Sequence, residues 1–443
     1  MPRLWDLDDL DRRILVIAVP ALGSLLVEPI YVLTDTAVVG RLGTASLGGL
    51  ALASVVLNTL VWVFNFLSYG TTVRVAVRRG RDDRVGAASD ALQALWLAVG
   101  IGLVVAVGIG WAADWLIGLI GDDPAVIAEG VTYLRVSCIG VPFQFVVIAC
   151  IGYLYGLPDT RRPFIVLTAA VVTNLVVELV LVFGLDWGIA GSALGTVVAQ
   201  VLSAAAFLVI VVPSLRADGL RHLRVVPSVM GAVLKVGAHL VQRTAFLLAA
   251  LAVATAAAAR VGTAELAAHQ IAAQLFLFLA IGVDMFKVAG QSLVGHALGA
   301  GRPVEARDVV SHLYGWAWRA GGLLTVGTLV LSPLLPHLFT SDPDVVRAAT
   351  MALVVLAVMQ LPAAVTFVLD GVLMGANDFR DLRWQTILAF AVSLPVFAAV
   401  YAWPSLGLVV VWLGLLLWIS VRAAKNHARV QGDRWLASAD TVA

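Results

Sequence analysis

The sequence contains little charge. Only 13% of its 443 residues are Asp, Glu, Lys or Arg, whereas 61% are hydrophobic. In an ordinary soluble domain about a quarter of the residues are charged. A chain of this length with so few charges cannot surround a soluble core with polar surface, and we therefore interpret it as a membrane protein.

Several sequence motifs of enzymes are also missing. The chain has three lysines and none follows a glycine, so it contains no phosphate-binding GK[ST] loop. It also lacks HExxH, CxxC and GxSxG, which mark common metalloprotease, redox and hydrolase sites. These absences exclude ATP as a fuel bound by this chain, and we expect neither a cofactor nor enzymatic activity.

Long apolar runs fill most of the chain. A helix needs about 20 apolar residues to cross a bilayer, and twelve such runs can be placed with short loops between them. Their continuous hydrophobicity differs from the alternating strands of an outer-membrane barrel, so we predict an all-α membrane fold. The predicted spans are 12–38, 48–73, 87–111, 126–154, 163–184, 188–212, 229–258, 264–292, 307–332, 345–374, 382–402 and 405–422.

The distribution of Lys and Arg tests this count independently. Loops on the side of the N-terminus carry 21 of these residues, whereas the opposite loops carry only Arg41 and Arg260. The positive-inside rule predicts this asymmetry for twelve spans with both termini in the cytoplasm. The N-terminal segment is acidic and amphipathic, unlike a cleavable signal, and we expect the first span to be an uncleaved insertion signal. The arginines are spread over many loops, which does not suggest a nucleic-acid partner.

The sequence repeats itself at an offset of 219 residues. The matching pairs are RLGTASL from Arg41 with RVGTAEL from Arg260, Asp123-Pro124 with Asp342-Pro343, and GYLYGLPD ending at Asp159 with GVLMGAND ending at Asp378. Three matches at one offset indicate two six-helix units that point the same way, related by a pseudo-two-fold axis along the membrane normal. We predict an N-terminal lobe at 1–212, a cytoplasmic linker at 213–228, a C-terminal lobe at 229–424 and a cytoplasmic tail at 425–443. Duplicated bundles of this kind are typical of transporters.

Charged side chains inside the predicted spans are the main candidates for function, because each costs at least about 2.5 to 3.5 kcal/mol at the bilayer centre. The candidates that we single out are Glu28 and Asp35 in the first span, Glu178 in the fifth, Asp284 and Lys287 in the eighth, and Asp370 in the tenth. The repeat places Leu247, Ala254 and Phe397 at the positions equivalent to Glu28, Asp35 and Glu178. The fold can therefore form without these three acids, which favours a function specific to the first lobe.

Spacing places the acids of the first lobe on shared helix faces. Glu28 and Asp35 are two turns apart with Pro29 between them, and Asn174 lies one turn before Glu178. Three carboxylates enclosed in one bundle cannot all stay ionised without a counter-ion. Either a proton is retained or a small cation such as sodium binds to the oxygen ligands, and both describe an ion-coupling site. The competing interpretation is that these acids only fix helix packing.

The charges of the second lobe leave more alternatives open. Asp284 and Lys287 are three residues apart and can neutralise each other. Asp370 has no evident partner in the neighbouring sequence, so we predict that it faces a cavity. His269 and Gln270 are either a packed hydrogen-bonding pair or a ligand contact.

Four motifs occur in a specific order along the chain. They are LTDTAVVGRLG in the first span, GLPDTRRP after the fourth, NLVVE in the fifth and GQSLVGHALGAG at the end of the eighth. In this order and spacing they resemble the multidrug and toxic compound extrusion (MATE) family, and within it the bacterial DinF-like branch. The resemblance covers nearly the whole chain, including its two-lobe repeat.

The resemblance implies an antiporter that exports drugs or toxic organic compounds in exchange for H+ or Na+ by alternating access. The family's N-terminal cation site falls on Asp35, Asn174, Glu178 and Thr196, which would be the metal ligands if sodium is the coupling ion. Our spacing argument adds Glu28 to this site. We predict a substrate cavity that includes Tyr31 and Pro20, by resemblance, together with Gln270, Asp284 and Asp370. Many relatives have Asp where this chain has Glu178, and Lys287 departs from the apolar residue expected there.

The expected partners are a small-molecule substrate, cationic or amphiphilic, and the lipid bilayer of a bacterial inner membrane, with the protein as a monomer. A lipid-linked oligosaccharide flippase is an alternative, and a wide basic cavity would favour it. RRGRDDRVG superficially suggests a major-facilitator transporter instead, although the repeat fits that group less well. An intramembrane enzyme that uses His239, His269 or the acids is the alternative from a different class.

Overall fold

The computed structural model describes residues 8–220 and 224–437. The predictions that concern residues 1–7, 221–223 of the linker and 438–443 of the tail lie outside the described residues. Within the described ranges all regular secondary structure is helical, which confirms the predicted fold class. The α-helices are α1 (Asp9–Val39), α2 (Thr44–Phe64), α3 (Phe66–Gly80), α4 (Arg84–Gly118), α5 (Pro124–Cys138), α6 (Val141–Gly156), α7 (Arg161–Leu179), α8 (Gly188–Ala217), α9 (Pro227–Val261), α10 (Thr263–Gly299), α11 (Pro303–Leu331), α12 (Pro343–Gly375), α13 (Phe379–Ala402) and α14 (Gly407–Gln431).

Most of these helices have the length and composition of membrane spans. Ten helical segments of the described chain are long and apolar enough to cross a bilayer, with α2 and α3 counted as one. Helices α5 and α6 are bent by 54° at a short break and together give an eleventh. The predicted span at 307–332 corresponds to α11, which is 29 residues long but less apolar because it carries Trp316, Trp318 and Arg319. The chain is thus a multi-pass membrane protein, and the count of twelve spans stays a prediction.

The repeated Asp-Pro pairs begin equivalent helices. The Asp123 carboxylate accepts a hydrogen bond from the Ala125 N–H (2.8 Å) at the start of α5. The Asp342 carboxylate accepts in the same way from the Asp344 N–H (2.9 Å) at the start of α12. An aspartate at the N-cap satisfies otherwise unpaired backbone donors, and a proline at the next position loses nothing because its missing N–H would have been unpaired.

Equivalent helices also end in the same way. The Asp159 N–H donates to the Leu154 carbonyl and the Asp378 N–H donates to the Leu373 carbonyl, with a distance of 2.9 Å in both cases. A bond from residue i+5 back to residue i closes the last turn of a helix and satisfies one of its free carbonyl groups. These two bonds are 219 residues apart, so the repeat read from the sequence recurs in the backbone geometry.

The chain divides into two compact units, Val19–Gly237 and Ala238–Ala443 with Met1–Ala18. We call them the first and the second unit. In the first unit, α2, α4 and α5 contribute Leu50, Ile117 and Leu134 to a buried apolar core. In the second unit, α12 and α14 contribute Met359 and Trp412 to another such core. The predicted lobe boundaries remain a prediction.

Candidate ion-coupling site

Helix α1 carries Asp35 near its C-terminal end. The helix contains Pro20 and Pro29 in its interior, and a proline removes one backbone donor, which leaves a carbonyl of the preceding turn without its usual partner. The Ser24 hydroxyl donates to the Pro20 carbonyl at 3.2 Å. Asp35 itself is only 4% exposed, so its carboxylate depends on protein partners or on a bound ion for stabilisation.

Two hydroxyl groups donate to the two oxygens of the Asp35 carboxylate. The Ser192 hydroxyl on α8 donates to Oδ1 at 2.7 Å, and the Tyr133 hydroxyl on α5 donates to Oδ2 at 3.1 Å. One turn before Asp35, the Tyr31 hydroxyl shares a 2.5 Å hydrogen bond with Thr196 Oγ1. These contacts join α1 to α5 and α8 and fix the direction of the Asp35 side chain.

Glu178 and Asn174 are completely buried on α7. Neither Glu178 oxygen and neither polar atom of the Asn174 side chain has a hydrogen-bond partner within the described residues. Helix α8 packs closely against α7 at Glu178 because α8 has a glycine, Gly195, at the contact. A Cβ atom on Gly195 would lie 3.2 Å from the N, Cα and Cβ atoms of Glu178. A single π-helical turn, Val180–Gly184, follows directly, and such turns are frequent at functional sites.

The Asp35 and Glu178 carboxylates are electrostatic neighbours, and Ser192 lies within reach of both. Among the ion pairs of the described residues, none includes Asp35 or Glu178. Two carboxylates in a site of low dielectric repel each other strongly unless a proton or a cation lies between them. The donor set of two carboxylates, one amide carbonyl and several hydroxyls consists of the hard oxygen ligands that small cations prefer.

The equivalent positions of the second unit form an ordinary apolar core. At the repeat offset, Asp35, Glu178 and Ser192 correspond to Ala254, Phe397 and Val411, and all three are fully buried. Gly195 corresponds to Gly414, which packs against the Phe397 ring at the same helix crossing. The crossing therefore forms well without acids, and its packing alone does not require the polar residues of the first unit.

The structure places the other predicted coupling residue elsewhere. Glu28 is exposed and makes none of the hydrogen bonds that join the cluster around Asp35. Its spacing of seven residues places it two turns before Asp35 on the same helix, which runs unbroken through Pro29, so spacing alone does not bring Glu28 into contact with the cluster. Hydrogen bonds and electrostatic proximity link Asp35, Glu178 and, through Tyr31, Thr196. The places of Asn174 and Glu28 in the coupling site stay predictions.

The prediction that Asp370 faces a cavity is wrong, because this residue is 2% exposed and has charged partners. Arg422 on α14 donates to Asp370 Oδ2 at 2.7 Å, and Arg243 on α9 pairs with the same oxygen. The Asn426 amide donates to Oδ1 at 2.9 Å. These partners are between 52 and 127 residues away in the sequence, so local inspection around Asp370 could not find them.

Two other predicted candidates of the second unit, Lys287 and His269, make pairwise contacts within the protein. Lys287 pairs with Asp284 at 2.6 Å, as the spacing of three residues indicated. His269 is buried, and its Nε2 atom shares a 3.1 Å hydrogen bond with Thr255, in agreement with a packed interhelical pair. Gln270 is exposed on α10. Its role in a substrate cavity stays a prediction, as do those of Tyr31 and Pro20.

Sequence reasoning missed three residues. Ser192 lies one turn before Thr196 on α8 and Tyr133 lies on α5, and no neighbouring residue in the sequence links either of them to Asp35. The third is Arg243, which falls within the predicted span 229–258 and is 8% exposed. An arginine in the middle of an apolar run is itself a signal of a buried charge partner.

Comparison with known proteins identifies the family. The MatE family model matches residues 20–180 and 244–403, which is most of the chain and one match in each copy of the repeat. Protein DETOXIFICATION 44, a chloroplastic protein of Arabidopsis thaliana, is 29% identical over 94% of this chain and 82% of its own length. DNA damage-inducible protein F of Escherichia coli is 26% identical over 93% of this chain and 90% of its own length.

A solved structure shows the same fold. A MATE protein crystallised in a bent conformation superposes with a TM-score of 0.90 at 20% identity, covering 98% of this chain and 97% of that chain. Together with the family match in both units, this agreement confirms the resemblance to the MATE family. The chain belongs to the MatE family of secondary transporters and is not an enzyme.

Proposed function

We propose that this protein is an antiporter that exports drugs or other toxic organic compounds in exchange for H+ or Na+ by alternating access. The observation that carries the proposal is the polar cluster around Asp35 and Glu178, at a helix crossing that is an apolar core in the second unit. A fold that tolerates Ala254 and Phe397 at these positions has no structural need for two neighbouring carboxylates. Buried acids in a membrane transporter are the groups that bind and release a coupling ion.

The names of several relatives support drug export as the function. The probable multidrug resistance protein NorM of Thermotoga maritima is 24% identical over 97% of this chain. The multidrug resistance protein PmpM of Pseudomonas aeruginosa is 26% identical over 87% of it. The similarity to the E. coli protein supports the DinF-like branch. We further propose that the protein is a monomer in a bacterial inner membrane, and the distribution of Lys and Arg supports a cytoplasmic location for both termini. The acidic cluster favours a cationic or amphiphilic cargo.

The coupling mechanism follows from linkage between the ion and the cargo. When a proton or sodium binds between Asp35 and Glu178, it cancels the repulsion that favours an open arrangement of α1 and α7. An ion and a cargo that favour different arrangements weaken each other's binding by the same factor. Entry of the ion down its gradient then drives release of the cargo. Thr196 and Ser192 orient the site through their bonds to Tyr31 and Asp35.

Transport by reconstituted protein tests this proposal and separates the two ions. The purified chain is placed in liposomes with a fluorescent organic cation as cargo, and a proton gradient and a sodium gradient are imposed separately. We expect efflux driven by one of the gradients, and we expect Asp35→Asn and Glu178→Gln to reduce it to passive leak while both variants stay folded. Asp114→Asn is the matched control, because Asp114 is exposed and pairs with Arg135 on the surface.

Full gradient-driven transport by Asp35→Asn would remove this carboxylate from the mechanism. Transport that needs neither gradient would contradict antiport itself. A flippase of related architecture would instead move lipid-linked oligosaccharides between leaflets, and the wide basic cavity that would favour it is not a feature of the cluster around Asp35.

A further inference from the structure

We propose that a groove on the second unit binds one anionic phospholipid, with an acyl chain in the groove and the phosphate at Arg307. The groove lies between α11, α12 and α14 and has a volume of about 550 Å³. Pockets that hold small molecules in proteins have volumes of this order. The site uses none of the residues of the proposed coupling site, which lies in the first unit.

Helices α11 and α12 give the groove an apolar lining. Leu361, Pro362 and Val365 of α12 line it together with Tyr314 and Trp318 of α11. Trp318 is four residues, or about 6 Å, further along α11 than Tyr314, and it is 56% exposed. Exposed tryptophan and tyrosine are typical of the interface between the acyl chains and the headgroups of a bilayer.

The α14 side of the groove changes from small to polar residues along the helix. Ala423 and Ala424 leave space in the groove, and His427 and Gln431 follow at the C-terminal end of α14. The His427 Nδ1 atom shares a 2.7 Å hydrogen bond with the Tyr314 hydroxyl of α11. The groove therefore has a polar end and an apolar end, which suits an amphiphile with its headgroup at the polar end.

The apolar end of the groove continues into exposed apolar surface. Val354 and Val358 lie on the same face of α12 as Leu361 and are 41% and 55% exposed. Leu413 lies three turns before Ala424 on the same face of α14 and is 46% exposed. Because lipid tails are as apolar as leucine, this surface is suited to an acyl chain and not to a polar solute.

Arg307 provides positive charge near the polar end. It lies two turns before Tyr314 on the same face of α11, about 10 Å away along the helix axis. Its Nη2 atom donates to Asp433 Oδ1 at 2.6 Å, which joins the start of α11 to the segment after α14. The two side chains are 51% and 81% exposed, and ion pairs of this kind contribute little. Since a guanidinium has five N–H donors, Arg307 can bind a phosphate beside Asp433 or in its place.

The predicted topology assigns the lipid to one leaflet. The start of α11 and the end of α14 lie on the side whose loops carry 21 Lys and Arg residues, which is the predicted cytoplasmic side. Basic residues next to membrane spans attract the anionic lipids of the cytoplasmic leaflet. The expected occupant is therefore an anionic phospholipid of that leaflet.

The first unit does not repeat these features. At the repeat offset, Arg307, Tyr314, Pro362 and His427 correspond to Ala88, Leu95, Phe143 and Leu208. The counterpart of α12 is also broken in the first unit, where α5 and α6 meet at 54°. The fold thus forms without the arginine and the polar pair, which favours a role of the groove that is specific to the second unit.

Photo-crosslinking of the purified full chain in detergent tests the proposal. The probe is a phosphatidylglycerol that carries a diazirine on one acyl chain, and the labelled peptides are mapped by mass spectrometry. We expect labelling of peptides that contain Trp318, Leu361 or Ala424. Unlabelled phosphatidylglycerol should compete about fivefold better than phosphatidylcholine, as expected for one arginine that contacts an anionic lipid.

Three variants separate the headgroup from the acyl chain. Arg307→Gln should abolish the preference, so that the two lipids compete equally. Ala424→Trp should fill the groove and abolish the labelling there. Arg319→Gln is the matched control, because Arg319 lies on the same helix but stacks on the Trp316 ring at 5.0 Å and does not line the groove. It should keep both the labelling and the preference.

Absence of labelling in the groove would overturn the proposal. Equal competition by the two lipids in the wild type would also overturn it, as would an unchanged preference in Arg307→Gln. If Ala424→Trp does not fold, the preference in Arg307→Gln decides, since this substitution changes an exposed side chain. Asp35→Asn should be labelled like the wild type, so failure of this proposal is distinct from failure of the coupling site.

Discussion

Replacement of Asp370 by Asn distinguishes a structural acid from a functional one. The wild-type carboxylate holds two buried guanidinium groups, those of Arg243 and Arg422, and accepts a third hydrogen bond from Asn426. An amide at this position keeps the size of the side chain and removes its charge. The two arginines then lie close together with no anion of the protein between them.

The expected loss of stability is large because both arginines are buried. Breaking a buried ion pair by removing one partner typically costs about 3 to 5 kcal/mol, since the remaining charge stays in a low-dielectric site. At about 1.4 kcal/mol for each factor of ten, the unfolding equilibrium changes by roughly a hundredfold to several thousandfold. Asp114→Asn, which removes an exposed ion pair, should cost no more than about 1 kcal/mol.

Unfolding of the purified protein in detergent measures this difference, with the yield of folded protein as a second readout. We expect Asp370→Asn to unfold at clearly lower denaturant concentration than the wild type and Asp114→Asn to match the wild type. An Asp370→Asn protein that is as stable as the wild type but fails to transport would refute the structural interpretation. That result would restore Asp370 to a functional role in the cavity, as the sequence first indicated.

Two further predictions concern the first unit. Gly195→Ala should destabilise the protein by about 1 to 3 kcal/mol and reduce transport, because the added Cβ would press on the backbone of Glu178. Gly100→Ala is the control and should be neutral or stabilising, since no neighbouring atom lies in the way of its Cβ. Equal thermal stability of the two variants would contradict this prediction. The Gln93 side chain makes hydrogen bonds of 2.9 and 2.8 Å to two backbone groups of the linker. Gln93→Leu should therefore make the linker cleave faster in limited proteolysis, by a factor that corresponds to about 1 to 3 kcal/mol, and an unchanged rate would argue against this attachment.

The sequence predicted several features of the fold because they are local. Continuous apolar runs indicated helices that cross a membrane, and the repeat placed the Asp-Pro pairs at 123 and 342 at equivalent positions, where equivalent helices begin in the structure. The repeat also indicated that Asp35 and Glu178 are not needed for folding, and the apolar packing of Ala254 and Phe397 agrees with this. Hydrophobicity and helix capping depend on residues within a few helical turns of one another. The repeat is visible in the sequence itself, as matching residues at a fixed spacing.

The partners of the buried charges could not be read from the sequence. Asp370 was predicted to face a cavity because its neighbours in the chain are apolar, whereas its actual partners lie on α9 and α14. Ser192 and Tyr133 reach Asp35 from helices that are 157 and 98 residues away.

The sequence by itself determined that this protein is a helical, duplicated membrane transporter with charged side chains inside its predicted spans. The tertiary structure alone decided which of the buried acids are paired with arginine, as Asp370 is, and which are not, as is the case for Asp35 and Glu178. The physical reason is that the identity of a span depends on its own composition, while the energy of a buried charge depends on atoms within a few ångströms, whichever helix supplies them.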